Sequence, residues 1–352
     1  MKKYRKIIIN LFDVTAGHGG TYTSNGYVVN GYNNTLATSG NDFTPERAIF
    51  YSRNFMRNYV GKLVHGQFAK KETFPQHNGG VVNIRGMSPY PTVTTPLTEG
   101  VTPAGNLMNF HYVEIVVNQY GAFTPITDWA RFASRDDIIV HDSEELASQA
   151  GRTIEEIDVA VLNSGTSVLY APAVAANGTE TAVTTRAGVS ALSKFRVKDI
   201  FRALNYLEKQ LAEPFDDCYV AIVHPDVKFD IMQDKNFWDI STYADSSRIF
   251  KGEIGTIGKI RFVMSPYAKV FTGAGANGID VYSTLVLGKE AYEIVEIEGQ
   301  GMQTIIKPLG SAGAGDPINQ RATQGWKTTH GIGIIRQTSM VRVESASSIT
   351  AA

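Results

Sequence analysis

Two glycine-rich stretches are the first candidates for chemistry. GEIGTIGK, residues 252–259, has the texture of a loop whose amides cradle phosphate. That motif needs four residues between its glycines and a hydroxyl residue after the lysine. Gly252 and Gly258 have five residues between them, and Ile260 stands where the hydroxyl must be. SAGAGD, residues 311–316, is not followed by a helical pattern, so a dinucleotide fingerprint fails on context. The seven histidines (18, 65, 77, 111, 141, 224 and 330) show neither an i+4 pair nor a HExxH frame. His224 follows an apolar run and precedes Pro225, which suits a turn better than a general base. Cys218 has no basic neighbour to lower its pKa and reads as a buried, inert thiol. There is no GxSxG elbow. Glu155, Glu156 and Asp158 form an acidic turn that reads as a solvated or interface face rather than a cation site. Asn177-Gly178-Thr179 is formally a glycosylation sequon, without meaning in a chain that is not secreted. No catalytic, cofactor-binding or metal-ligating residue is assigned, no cofactor is expected, and the chain does not read as an enzyme.

Composition points the same way. The 352 residues suffice for one large or two ordinary domains, and 33 basic against 34 acidic residues leave a formal net charge of −1. Residues 1–72 are different: ten Lys and Arg face four acids, a net of +6 that could meet a polyanion, or else be an ordinary solvated face. A single cysteine excludes a disulfide framework. There is no apolar run of spanning length, and KIIINLF has neither the length nor the cleavage pattern of a signal peptide. The expectation is a soluble intracellular product.

The elements that would position these residues centre on HDSEELASQAGRTIEEIDVAVLNSG, residues 141–165. Leu146, Ala150, Ile154, Ile157 and Val161 form one apolar stripe of a long helix. Asp142 and Glu145 suggest a capping box at its start, and Gly165 a left-handed cap at its end. Gly151 inside it should cost about 1 kcal/mol relative to Ala, so neighbouring structure must hold the helix. Before it, residues 1–42 are rich in Gly, Asn, Thr and Tyr and read as an extended arm. Thr44-Pro45-Glu46 starts a helix ending near Gly66. GGVVNIRGM and FHYVEIVVNQYGAF alternate as strands around MSPYPTVTTPLTEGVTPAGN, whose four prolines and lack of buried residues suit a flap that reaches a neighbour. Thr127-Asp128-Trp129 opens a short helix. Further on, Ile200, Leu204, Leu207 and Leu211 mark a second amphipathic helix, CYVAIV a buried strand, and VKFDIM a short helix after His224-Pro225-Asp226. Strands follow in KIRFVM, IDVYSTLVLG, MQTIIKPL and HGIGIIRQTSMVRVE, with FTGAGANG a flexible loop. The mixture lacks a βαβ rhythm, so the fold class is α+β.

Several stretches together resemble the major capsid (coat) proteins of tailed bacteriophages, with the Hong Kong 97-type fold. They spread from about Phe43 to Val343. TTPLTEGVTPAG (94–105) is similar to that family's extended loop. TDWARF followed by ELASQAGRTIEEIDVAVLNSGT resembles its helix pair. GTIGKIRFVMSP is similar to the strand entering its axial domain. Asp316-Pro317-Ile318-Asn319-Gln320-Arg321 and Gly325-Trp326-Lys327 resemble its C-terminal signature.

The resemblance implies an N-terminal arm (1–43), the N-terminal helix and start of a peripheral domain (44–78), an extended β-loop (79–118), a peripheral domain with a long spine helix (119–167), an axial domain (168–300), and return strands of the peripheral domain with the C-terminus (301–352). It implies self-assembly into pentamers and hexamers of an icosahedral capsid around double-stranded DNA, which is touched non-specifically at the inner surface. The implied partners are the chain itself and portal, scaffold or decoration proteins, with no membrane. The implied location is the virion, after assembly in the bacterial host cytoplasm. A cleaved N-terminal scaffold region is not expected. Trp129 and Trp326 are expected as packing anchors of the peripheral domain. The rivals are an encapsulin-like compartment shell, an enzyme without a recognisable motif, and a tail or decoration protein.

Overall fold

The computed structural model describes residues 22–24, 27–29, 55, 59, 63–77, 79–87, 90–103, 105–134, 138–235, 237, 255–311 and 315–349. The N-terminal arm, apart from the short antiparallel pair β1 (Tyr22–Ser24) and β2 (Tyr27–Val29), lies outside them. So does most of the helix expected from Thr44, although Phe55 and Tyr59 are helical.

Two sheets carry the chain. The first is built on β17 (Arg321–Ile334). Its first half pairs antiparallel with β6 (Asn118–Thr127) on one side and β16 (Gln303–Lys307) on the other. Its second half pairs antiparallel with β15 (Tyr292–Ile297), which in turn takes the parallel edge strand β3 (Lys70–Phe74). The long helix, α2 (Ile138–Leu162), lies across one face of this sheet. Its 25 residues span about 37 Å at 1.5 Å per residue. A shorter helix, α1 (Asp128–Ala133), joins β6 to it, and the Thr127 hydroxyl caps α1 by accepting from the Ala130 amide at 3.2 Å.

The second sheet runs β11 (Thr256–Ile257), β12 (Ile260–Met264), β10 (Tyr219–Val223), β14 (Val281–Leu287), β18 (Met340–Ser345) and β7 (Val168–Tyr170), with β13 (Val270–Phe271) also on β14. A small pair, β8 (Ala173–Val174) and β9 (Glu180–Thr181), stands beside it. Every residue of β10 is buried because both faces are covered. Tyr219 and Ala221 meet Ile200, Leu207, Val227 and Ile231 of α3 (Val197–Lys209) and α4 (Pro225–Gln233). Val220 and Ile222 meet Leu162, Tyr292, Ile294 and Ile332. That second cluster joins the end of the long helix to strands of both sheets.

Several expectations are corrected. Helix α2 starts at Ile138, so Asp142 lies inside it rather than capping it, and Gly165 is not left-handed. A Cβ at Gly165 would sit 3.2 Å from the Gln337 amide oxygen and 3.4 Å from the Leu162 carbonyl, a tight fit that the side chain of Gln337 could relieve. Helix α3 ends at Lys209; Leu211 has φ 54° and is exposed, because the chain turns there before Pro214. Cys218 is half-buried, since it precedes the buried strand. HGIGIIRQTSMVRVE is two strands of two different sheets, divided by the 3₁₀ turn Gln337–Ser339. Residues 301–352 therefore serve both sheets, and β15 pairs with β17 although it precedes residue 300.

Candidate assembly interfaces

The hairpin of β4 (Val81–Met87) and β5 (Phe110–Val116) is a two-stranded sheet of its own, in register from Val81↔Val116 to Met87↔Phe110. Its root is packed: Val82 and Ile115 bury themselves against Val295. Glycines of β17 make this possible, since a Cβ at Gly333 would lie 2.6 Å from Cγ1 of Ile115. Its far end has no cover among the described residues. Val93, Leu97, Val101, Leu107 and Met108 are all more than three-fifths exposed, with Leu107 at 91%. The only charged residue of 88–109 is Glu99. An isolated two-stranded ribbon is marginal in water, so an apolar ribbon projecting from a core needs something else to lie on.

A shallow groove of about 530 Å³ crosses the face of the β6–β17–β16 sheet opposite the long helix. Its floor is glycine: Gly121 lies opposite Lys327 and Gly325 opposite Phe123 on the ladder, and a Cβ on either glycine would lie 2.8 Å from backbone. Phe123, 71% exposed, and Ile305, 41% exposed, supply apolar walls. Lys307 and Lys327 supply positive charge. On the same sheet's inner face Trp326 packs on Phe55, Leu146, Ala147 and Ala150, and its Nε1 donates to Gln149 Oε1 at 3.3 Å. Trp326 is thus the packing anchor expected. Trp129 is not: it is 72% exposed on α1, stacked on the equally exposed Phe132 at 5.9 Å between centroids. A helix of six residues has no inner face long enough to bury it.

The acidic turn of the long helix is corrected in the opposite sense. Glu155 and Asp158 are fully buried. Glu155 accepts from the amides of Val64 and His65 at 3.0 and 3.2 Å and meets His65 Nδ1 at 2.6 Å. Asp158 Oδ1 meets His330 Nε2 at 2.6 Å, and burial raises the Asp158 pKa. The Tyr292 hydroxyl donates to the carbonyl of His65. These contacts tie the segment before β3, the long helix and β17 together. A signal exists in the sequence: Ala147, Gly151, Glu155 and, three residues on, Asp158 follow one lane of the helix, beside small residues that let neighbours close in. Only Glu156 of the three acids is exposed.

The remaining candidates have structural roles. His224 caps α4, its Nδ1 accepting from the Asp226 amide at 3.2 Å, and burial lowers its pKa. Gly258 is left-handed, φ 59°, in the turn between β11 and β12, and Ile260 is fully buried in β12. Gly252 lies outside the described residues. Asp316 accepts from the Arg321 amide at 2.7 Å and so closes the turn into β17. Among the described residues no group of three or more His, Cys, Asp or Glu could hold a metal ion.

A family profile described as phage capsid protein matches residues 112–343. The chain belongs to the phage capsid protein family. The capsid structure of cyanophage P-SCSP1u superposes with a TM-score of 0.63 at 12% identity, over 81% of this chain and 88% of that one. The capsid of Ralstonia phage GP4 gives 0.60 at 14% identity, over 80% and 87%. The holo-SrpI encapsulin complex of Synechococcus elongatus PCC 7942 gives 0.50 at 8% identity, over 84% and 89%. No curated protein sequence matches. The Hong Kong 97-type fold expected from the sequence is therefore the fold of this capsid protein, which is a structural shell protein of the virion and not an enzyme. Among the described residues no helix is long and apolar enough to cross a membrane.

Proposed function

We propose that copies of this chain form pentamers and hexamers of a closed icosahedral shell around double-stranded DNA, each copy laying its hairpin on a neighbour. The observation that carries this is the uncovered apolar tip, residues 90–109, on a root locked into the core. The groove on the β6–β17–β16 face is its seat. An extended apolar ribbon with one carboxylate, Glu99, complements a shallow apolar groove flanked by Lys307 and Lys327. Obligate interfaces commonly bury roughly 2,000–5,000 Å², and a hairpin repeated around every capsomer contributes to such an area without needing stability of its own.

In this reading the sheet of β17 with the long helix is the peripheral domain, residues 79–118 are the extended loop, and the seven-stranded sheet is the axial domain. Segment 1–43 is the N-terminal arm, and the net +6 of residues 1–72 lines the lumen, where it meets DNA non-specifically. Portal, scaffold and decoration proteins are the further partners, and assembly takes place in the bacterial host cytoplasm.

The test is expression of the chain followed by negative-stain electron microscopy. Closed shells or capsomer rings are expected. Glu99→Lys should reduce them, and combining it with Lys307→Glu and Lys327→Glu should restore them. Unchanged particles from Glu99→Lys would remove the groove as the seat. Enzyme cargo in place of DNA inside the shells would favour an encapsulin-like container.

A further inference from the structure

The root of the hairpin holds a charge cluster that assembly contacts do not explain. Lys70 and Glu72 of β3 point to the same face as Glu293 of β15, through the parallel register Glu293↔Lys70 and Val295↔Glu72. Lys70 Nζ lies 3.1 Å from Glu293 Oε2 and 3.4 Å from Glu72 Oε2. Glu293 is fully buried, and its Oε1 has no hydrogen-bond partner. It sits on the face of β15 that carries the hairpin root, beside Val295, which packs on Val82 and Ile115. Opposite it on β17 is Gly333, covered by Ile115. The hairpin and β17 thus present apolar atoms and backbone to it. Arg85 and Glu114 occupy the opposite, exposed face of the hairpin. The charged groups acting on Glu293 are Glu72 and Lys70.

One ammonium cannot balance two carboxylates that face each other when one of them has lost its water. Burial, then the neighbouring Glu72 carboxyl, push the Glu293 carboxyl up to about 7. Its neighbours Glu293 and Lys70 hold Glu72 below its ordinary value. Below neutrality Glu293 keeps its proton, and Lys70 neutralises Glu72. Above it the proton leaves and two adjacent anions remain. Strand β3 is an edge strand, held to the body through β15 and leading directly into β4.

We infer that Lys70, Glu72 and Glu293 form a protonation-controlled latch at the root of the hairpin, closed while the buried Glu293 is neutral and Lys70 serves Glu72, and loosened when one ammonium must serve two anions. The latch governs how freely the hairpin swings, whatever surface its tip meets. The sign follows from linkage. A raised acid in the folded state stabilises the pairing of β3 most below pH 4.5, and that stabilisation is lost as pH rises through about 7.

The experiment is hydrogen–deuterium exchange on the full chain as purified, from about pH 5.5 to 8, corrected for intrinsic exchange. Protection of Lys70–Phe74 should fall by about tenfold or more relative to β17 as pH rises from about 5.5 and level off above about 7. Glu293→Gln, a permanent neutral donor, should hold β3 protected throughout. Glu72→Gln should move the pH at which the fall levels off down by about one unit or more. A flat wild-type profile, or the same step retained in both variants, overturns the latch.

Discussion

Glu155 of the long helix and His65, ninety residues earlier, meet at 2.6 Å with both side chains fully buried. The carboxylate also accepts from two consecutive amides, so it acts as the acceptor on which the chain entering β3 is folded. In the proposed shell this bond would resist the outward pull of a seated hairpin, because the entry strand is fastened to the longest helix among the described residues. Glu155→Ala leaves two amides and a histidine ring buried without their acceptor. The expected loss is about 3–5 kcal/mol, in the range for breaking one side of a buried pair. Glu155→Gln, which keeps an acceptor of the same shape, should lose less. Denaturant unfolding of the soluble chain measures both.

The two exposed-versus-buried tryptophans separate folding from assembly. Trp326→Ala removes an indole packed on Phe55, Leu146, Ala147 and Ala150 and should cost about 3–5 kcal/mol, leaving no soluble shells. Trp129→Ala removes a ring that is mostly in water and should leave the unfolding midpoint of the subunit within about 0.5 kcal/mol of wild type. If Trp129 and Phe132 are interface anchors, the same variant should lower the yield of particles by electron microscopy. Equal loss of folding in both variants would contradict the difference in burial.

Gly333 and Ile115 are a steric pair. Gly333→Ala places a methyl 2.6 Å from Ile115 Cγ1 and 2.8 Å from its Cδ1, on a stretch of β17 held in register by β15. The expected cost is about 1–3 kcal/mol of overpacking. Ile115→Val alone should cost about 0.5–1.5 kcal/mol. The double variant should be more stable than the sum of the two predicts, because the smaller side chain makes room. Additive losses in thermal melts would mean that the root yields elsewhere.

Much of this was legible in the sequence where local rules decide. Thr127 before Asp128, His224 before Pro225, the apolar run of β10 and the alternation of β4 and β5 each depend on near neighbours. Contacts decided by distant residues were not. Glu155 and Asp158 look like a solvated face until His65 and His330 are brought to them from 90 and 172 residues away. The run Tyr292–Ile297 carries two glutamates, Glu293 and Glu296, and that polarity conceals a strand whose inner acid finds Lys70 across a parallel ladder. The exposure of Trp129 was hidden for another reason: an aromatic residue in a short amphipathic stretch reads as core until the fold shows it 72% exposed. The family resemblance, carried by the motifs of the extended loop and the C-terminal signature, supplied the shell that periodicity and charge could not.

Asp142 provides a test of pH dependence on the long helix. It lies within the first turns of α2, where burial raises its carboxyl above the ordinary range against a hydrogen bond from Thr124 that lowers it. Its Oδ2 has no partner. A raised acid binds its proton more tightly in the folded state than in the unfolded one. Its contribution is therefore complete at pH below the ordinary carboxylate value and is lost as pH rises through the folded one. Asp142→Asn keeps an oxygen that accepts from Thr124 and removes the charge. The variant should match wild type at about pH 4 and exceed it in thermal stability at about pH 7. A wild type that gains stability over this interval relative to the variant would mean that the Thr124 bond outweighs burial, and that Asp142 is held as an anion.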